Sequence, residues 1–311
     1  ETGNDSSLFT TDLSIIDVNW QKQTDGSSYW FAQHRLTGER NYMKLNATDA
    51  QAAYGSDRGM WDQFTATSDP QKAKVKAYTS NSNVIYSFKR APKFFDVITY
   101  TGTGSEQTLK HNLGAVPQMF IIKNRSATAE WAVYHEDLTN AEQVSLFWAD
   151  TGAVSGTSAL RYNNTAPTSS VFSLGSSSLY NGSGNNMIAY CFAEKQGYSK
   201  MGSYIGNGNA DGTFIFTGFK PAFLLIKNKT SSSTNWHIYD NKRLGYNVDN
   251  NMSRANLNNA DQTDDDLDIL SNGFKLRRVT SALSTNGDTY IYMAFAENPF
   301  VTSTGIPTTA R

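Results

Sequence analysis

The chain has 311 residues, of which 39% are hydrophobic, 13% aromatic and only 18% charged, with a formal net charge of -1. That length exceeds one small core and suits two or three domains. The near-neutral balance removes any global attraction to nucleic acid or an anionic membrane, and no apolar run reaches the roughly 20 residues of a spanning helix. Ser, Thr, Asn and Gly replace the missing charge, which predicts strands joined by polar loops. The lone Cys191 excludes an internal disulfide and a multi-cysteine zinc site, and its apolar neighbours predict a buried, inert thiol.

Read in chain order, the predicted elements repeat. The first copy, 1–96, opens at Glu1-Thr2-Gly3-Asn4, has a lysine at Lys22, a tryptophan strand around Trp30 ending at His34, and a closing strand at 84–88. Its Lys72, Lys74 and Lys76 alternate, predicting a basic strand face. The second copy, 97–197, opens at Tyr100-Thr101-Gly102-Thr103-Gly104 and continues through a strand at 119–124 that starts after Pro117 and contains Lys123. Trp131 and His135 then mark its tryptophan strand, and 188–194 closes the unit. The third copy, 198–301, repeats the order with Gly206-Asn207-Gly208, Pro221, Lys227, Trp236 and Asp240, and a closing strand at 291–297. Residues 302–311 form a tail. Four anchors in the same order and at nearly constant spacing predict three tandem units. The first copy lacks the lead-in strand of the other two, so the chain is expected to be the carboxy-terminal portion of something longer.

Within a unit, apolar runs rich in Ile, Val, Phe and Tyr alternate with turn-forming clusters. The continuous runs at 120–122 and 223–226 suit central strands covered on both faces. The expected fold class is therefore all-β: three tandem β-sandwich-like repeats of about 100 residues, with one core per copy. Asn181-Gly182-Ser183-Gly184 and Asn286-Gly287-Asp288 are expected to be turns feeding the closing strands.

No catalytic constellation emerges. His34 and His135 share a repeat position that holds Asp240 in the third copy, which suits a polar strand end better than a catalytic group. The glycine pairs lack the third glycine and the Lys-Ser/Thr of a phosphate loop. Asp264, Asp266 and Asp268, at alternating positions, are the candidate ligands for Ca²⁺, although the glycine and terminal glutamate of an EF-hand loop are missing and a solvated loop is the competing reading. No other cofactor is expected. Aromatics at matched positions (Trp30, Trp131, Trp236) are assigned to core. Those peculiar to one copy, namely Trp20, Trp61, Trp148 and Tyr162, are freer to serve as surface contacts and are the candidate ligand-stacking residues, although core or subunit contact is the favoured reading for each.

Several of these strings carry a resemblance. Trp131-Ala132-Val133-Tyr134-His135, the stretch 164–175, the stretch 188–203, Gly206-Asn207-Gly208-Asn209-Ala210-Asp211-Gly212 and the ending 305–311 resemble a repeat family of tailed bacteriophages, common in marine phages. The similarity is strong over 97–311 and weaker over 1–96. It implies a virion or tail-associated component with lectin-like β-sandwich units, and transfers no functional residues. The expectation is a tail fibre or surface appendage that contacts the host envelope, with a surface glycan and other virion proteins as partners. Thin units of this kind are expected to form a homo-oligomer, a trimer by analogy with fibres, and tandem units an extended rod. A purely architectural role in capsid decoration or filament building, and a polysaccharide depolymerase, are the competing readings.

Overall fold

The structure, a computed structural model, describes residues 16–38, 41–53, 82–243, 247 and 250–297. Among these residues the chain is built almost wholly of antiparallel strands. In the first unit they are β1 (Val18–Gln23), β2 (Phe31–His34), β3 (Asn41–Lys44), β4 (Ala52–Ala53) and β5 (Asn83–Phe88). The second unit contains β6 (Phe95–Thr101), β7 (Gln107–Lys110), β8 (Met119–Asn124), β9 (Ala132–His135), β10 (Leu146–Phe147), β11 (Val171–Leu174), a one-turn helix α1 (Ser178–Asn181) and β12 (Asn186–Phe192). The third contains β13 (Ser199–Ile205), β14 (Phe214–Phe216), β15 (Pro221–Asn228), β16 (His237–Asp240), β17 (Asn250–Arg254), β18 (Gln262–Asp264), β19 (Leu267–Leu270), β20 (Gly273–Leu276) and β21 (Thr289–Ala296).

Three large sheets share one strand order. They run β3-β2-β1-β5, β10-β9-β8-β12-β6 and β17-β16-β15-β21-β13, with β4 and β18 added at the outer edges of the first and third. Register agrees as well: Lys22 faces Val84, Lys123 faces Ile188, and Lys227 faces Ile291. The continuous apolar runs became the central strands β8 and β15, buried along nearly their whole length as two-sided coverage requires. Two small sheets, β7-β11 and β14-β20-β19, cover the outer faces of the second and third units.

Period-two alternation then sorts each strand between two environments. In the third unit Leu224, Ile226, Tyr290 and Tyr292 point outward to a core closed by Phe274, Leu267 and Ile269 of the small sheet. Phe223, Leu225, Trp236, Ile291 and Met293 point the other way, into a core that also contains Trp20, Trp30, Phe88, Trp131, Tyr190 and Phe192. The expectation of one core per copy is corrected here: the inner faces of the three sheets bury one another. At their meeting point Phe88, Phe192 and Phe295 form a near-equilateral triangle, with ring separations of 5.8, 6.0 and 6.1 Å. Three convergent sheets around that triangle also replace the expected rod.

Hydrogen bonds close the arrangement into a ring. Trp30 Nε1–H donates to the Arg254 carbonyl at 2.9 Å, Trp131 Nε1–H to Lys44 at 2.9 Å, and Trp236 Nε1–H to Phe147 at 3.0 Å. Each unit's tryptophan thus ties the β3, β10 or β17 strand of a neighbour, and the three ties return to their start. The buried lysines repeat the circuit, with Lys22 donating to the Asn259 carbonyl, Lys123 to Thr48 and Lys227 to Thr151. A third circuit runs in the opposite sense from the end of the tryptophan strand. His34 meets the Tyr190 hydroxyl, His135 Nε2 lies 3.4 Å from the Tyr292 carbonyl, and Tyr86 donates to Asp240 at 2.8 Å. The substitution of Asp240 for histidine has a cause in this circuit, because its carboxylate accepts the Tyr86 proton while also holding Arg243 at 2.7 Å.

The paired glycines belong to this scaffold. A Cβ on Gly102 would sit 2.1 Å from the Gly182 carbonyl oxygen, and one on Gly206 would sit 2.3 Å from that of Thr285. Backbone approach therefore demands glycine at both positions. The turn segments 181–184 and 286–288 do precede the closing strands, but they pack against these glycines rather than closing simple hairpins.

Candidate functional site

Three of the four residues proposed for ligand stacking, Trp20, Trp148 and Tyr162, lie in the interior rather than on the surface. Trp20 is completely buried, 4.8 Å from Phe88 and 5.3 Å from Trp148. Trp148 stacks on Trp236 at 5.1 Å and donates to the Ala255 carbonyl at 3.2 Å. Tyr162 is buried under the outer layer of the second unit, its hydroxyl 2.6 Å from Ser145 Oγ. Trp61 lies outside the described residues. The physical reason for the correction is the shared core. Trp20 occupies the register of Ile121 and Leu225, and Trp148 that of Leu45 and Ala255. Where three copies converge, a large side chain in one is accommodated by smaller ones in the others. Trp20 and Trp148, each peculiar to one copy, therefore fill the common interior.

The Asp-rich stretch is likewise not arranged as a cation cradle. Asp264 pairs with Arg278 at 2.5 Å and Asp268 with Arg277 at 2.5 Å. Asp266 is buried, accepts from the Tyr239 hydroxyl at 2.7 Å, and has its carboxyl pushed up chiefly by that burial. Among the described residues no group of three His, Cys, Asp or Glu side chains is disposed to hold a metal ion.

Three histidines and the cysteine are structural in environment. Burial pushes His34 and His237 down to about 3 and His135 to about 4, leaving neutral imidazoles at ordinary pH. Cys191 is buried, and desolvation drives its thiol well above the usual range.

The described residues form a groove of about 570 Å³ at one end of the third unit. Its floor and walls include Glu194, Gly197, Lys200, Phe216, Thr217 and Asn272. One wall is the tight connection from β12 to β13, where Gly197 turns with φ 72° and Lys195 bridges Ser199. The opposite wall follows β14: Asn272 accepts from the Thr217 and Gly218 amides at 3.0 and 3.1 Å, and Gly218 turns with φ 83°. Both walls are fixed by backbone hydrogen bonds, so the groove is preformed.

The aromatic at its mouth follows from strand alternation. Ile215 points into the outer core of the third unit, which sends Phe214 and Phe216 outward, 43% and 57% exposed. Lys200 Nζ donates to the Phe216 carbonyl at 3.3 Å and lies 5.8 Å from the ring centroid. An exposed ring beside the Lys200 cation, the Glu194 carboxylate and the Asn272 amide presents one stacking surface with hydrogen-bonding groups of both kinds. Such a site is equipped for binding. The sequence signal that marks it is the alternation Thr213-Phe214-Ile215-Phe216-Thr217, in which Ile215 is the residue turned inward.

The described fold is thus an all-β scaffold of three convergent antiparallel sheets with an open groove on the third. The chain belongs to the family described as Domain of unknown function (DUF7483), which matches residues 90–299 and so covers the second and third units. No curated protein and no solved structure matches it.

Proposed function

We propose that this chain is a non-catalytic structural and binding component of a tailed-phage virion surface, contacting host-envelope glycans through the Phe216 groove. The observation that carries the reading is the exposed Phe216 ring beside Lys200 at the mouth of a preformed groove on a rigid body. Sugars offer an apolar C–H face to an aromatic ring and hydroxyls to the carboxylate and amide around it. The resemblance of 97–311 to phage virion repeats supplies the setting. A shared core with neutral buried histidines supports a scaffold role rather than acid–base catalysis.

The test is a glycan array probed with the wild-type chain, Phe216→Ala and Lys200→Ala. The reading predicts retention of a defined glycan set by wild type and its loss in Phe216→Ala, with folding unchanged. Equal retention by wild type and Phe216→Ala, or no retention by any of the three proteins, would remove the groove from the account.

A second reading, an architectural role through self-association or contact with another virion protein, is favoured by Ile205 and Phe214, which are exposed apolar side chains of the third unit. It predicts concentration-dependent association in light scattering that Phe214→Ser abolishes. A monomer at all concentrations would count against self-association.

A further inference from the structure

The small outer sheets of the second and third units differ at one edge. β7 and β14 occupy the same place, with Leu109 facing Phe172 of β11 as Ile215 faces Phe274 of β20. On either side of that residue the second unit exposes Thr108 and Lys110, whereas the third exposes Phe214 and Phe216. An unpaired edge is a template for another strand, and natural proteins guard it with charge, lysine above all. Lys110 supplies that guard on β7. Phenylalanine stands in its place on β14.

β14 is the end strand of its sheet. Leu276 N–H donates to the Thr213 carbonyl at 3.1 Å and Thr217 N–H to that of Asn272 at 3.0 Å, so Thr213 and Thr217 turn their backbone toward β20. Antiparallel alternation then turns the amides and carbonyls of Phe214 and Phe216 toward the free edge. Lys200 Nζ donates to the Phe216 carbonyl there at 3.3 Å, and that oxygen keeps a second lone pair. The strand also has a self-complementary sequence, because Thr213-Phe214-Ile215-Phe216-Thr217 reads the same in both directions. Turned antiparallel about Ile215, it sets Phe214 opposite Phe216, and Thr213 opposite Thr217, of an identical strand. An isologous contact requires that self-complementarity.

We propose that β14 is a dimerisation edge whose occupant is β14 of a second copy. Phe214 N–H then donates to the carbonyl of the partner's Phe216, whose own N–H donates to the Phe214 carbonyl, and the twofold axis repeats both bonds. Each phenylalanine ring lies beside one of the other copy, as a cross-strand aromatic pair. The two three-stranded sheets become one continuous sheet. A contact made by so short a strand falls well below the roughly 1,000 Å² of a stable interface, so the dimer is weak and reversible. This inference rests on the self-association reading and deepens it by naming the partner, the strand and the register; it does not depend on glycan binding.

Sedimentation velocity on the full chain, without glycan and from about 1 µM to about 1 mM, tests the assignment. Wild type is expected to pass from monomer toward dimer over that range. A double variant, Phe214→Thr with Phe216→Lys, gives β14 the outward residues of β7. It is expected to match the wild-type circular dichroism and to dimerise about tenfold or more weakly. Register is read separately, by mixing Phe214→Cys with Phe216→Cys at high concentration and oxidising. The mixture is expected to cross-link between unlike copies, because those positions face each other across the axis, and each variant alone is expected to cross-link far less. Should the double variant misfold, the cross-linking decides. Undiminished dimerisation of a folded double variant, or cross-linking as efficient alone as in the mixture, overturns the proposal and leaves self-association to another surface. A monomer at every concentration overturns both the proposal and the self-association reading.

Discussion

Acidification is the perturbation for which the structure gives the largest worked effect. His34, His135 and His237 are buried, and burial holds them at about 3, 4 and 3. An unfolded histidine titrates near 6.5. Each folded-state value is depressed, so the unfolded chain binds more protons below pH 6.5. The stabilising difference is fully present above that pH and is lost as pH falls toward the folded-state values. At pH 4.5 the imbalance is about two pH units per histidine, or on the order of 2–3 kcal/mol each. Three such groups together reach on the order of 8 kcal/mol, comparable with the whole stability of a typical domain. The assay is urea denaturation at pH 7, 5.5 and 4.5, repeated for His34→Gln and His135→Gln. Wild type should lose stability over that range, the histidine loss being offset in part by Glu136, which burial raises to about 7, and each variant should show a shallower slope by about one proton. Stability that is flat from pH 7 to 4.5, or imidazole C2 protons titrating near 6.5 in the folded chain, would refute the reasoning.

Other perturbations test the same architecture. Phe192→Ala removes one corner of the phenylalanine triangle and should cost about 3–5 kcal/mol in urea unfolding. Lys123→Met leaves the Thr48 and Ala129 carbonyls without their donor and should cost about 1–3 kcal/mol at neutral pH. Burial lowers Lys123 to about 8, below the 10.5 of the free side chain, so the stability gap between wild type and this variant should widen from pH 8 to 10.5. Excess Ca²⁺ or a chelator should leave Tm unchanged, because arginines hold Asp264 and Asp268 and Asp266 is buried. A calcium-dependent rise in Tm would contradict that assignment.

The sequence was informative about strands and weak about which faces meet. The continuous runs at 120–122 and 223–226 read as central strands because two-sided burial leaves no polar alternation, and they lie in the central strands β8 and β15. The lysines and tryptophans at matched positions likewise occupy matched places in the sheets. Periodicity indicates that a residue faces inward but not whose interior it faces. Trp20 and Trp148 therefore looked like surface aromatics of single copies, when they fill space left by Ile121, Leu225, Leu45 and Ala255 across the common core. The Asp-rich stretch misled for a related reason. Its partners Arg277 and Arg278 are close in sequence, but the pairing emerges only once β19 and β20 form a hairpin with Asp268 opposite Lys275. Phe216 was the reverse case, overlooked among many phenylalanines until the inward Ile215 showed which face of β14 is exposed.

The central claim is that three sheets share one interior closed by a ring of tryptophan and lysine hydrogen bonds. Its most direct test is hydrogen exchange along a urea titration, read separately for amides of β1, β8 and β15. The account predicts that all three strands lose protection together, at one midpoint shared with tryptophan fluorescence. Loss of β1 or β15 at lower urea, with the other strands still fully protected, would contradict it and return the fold to three independent units.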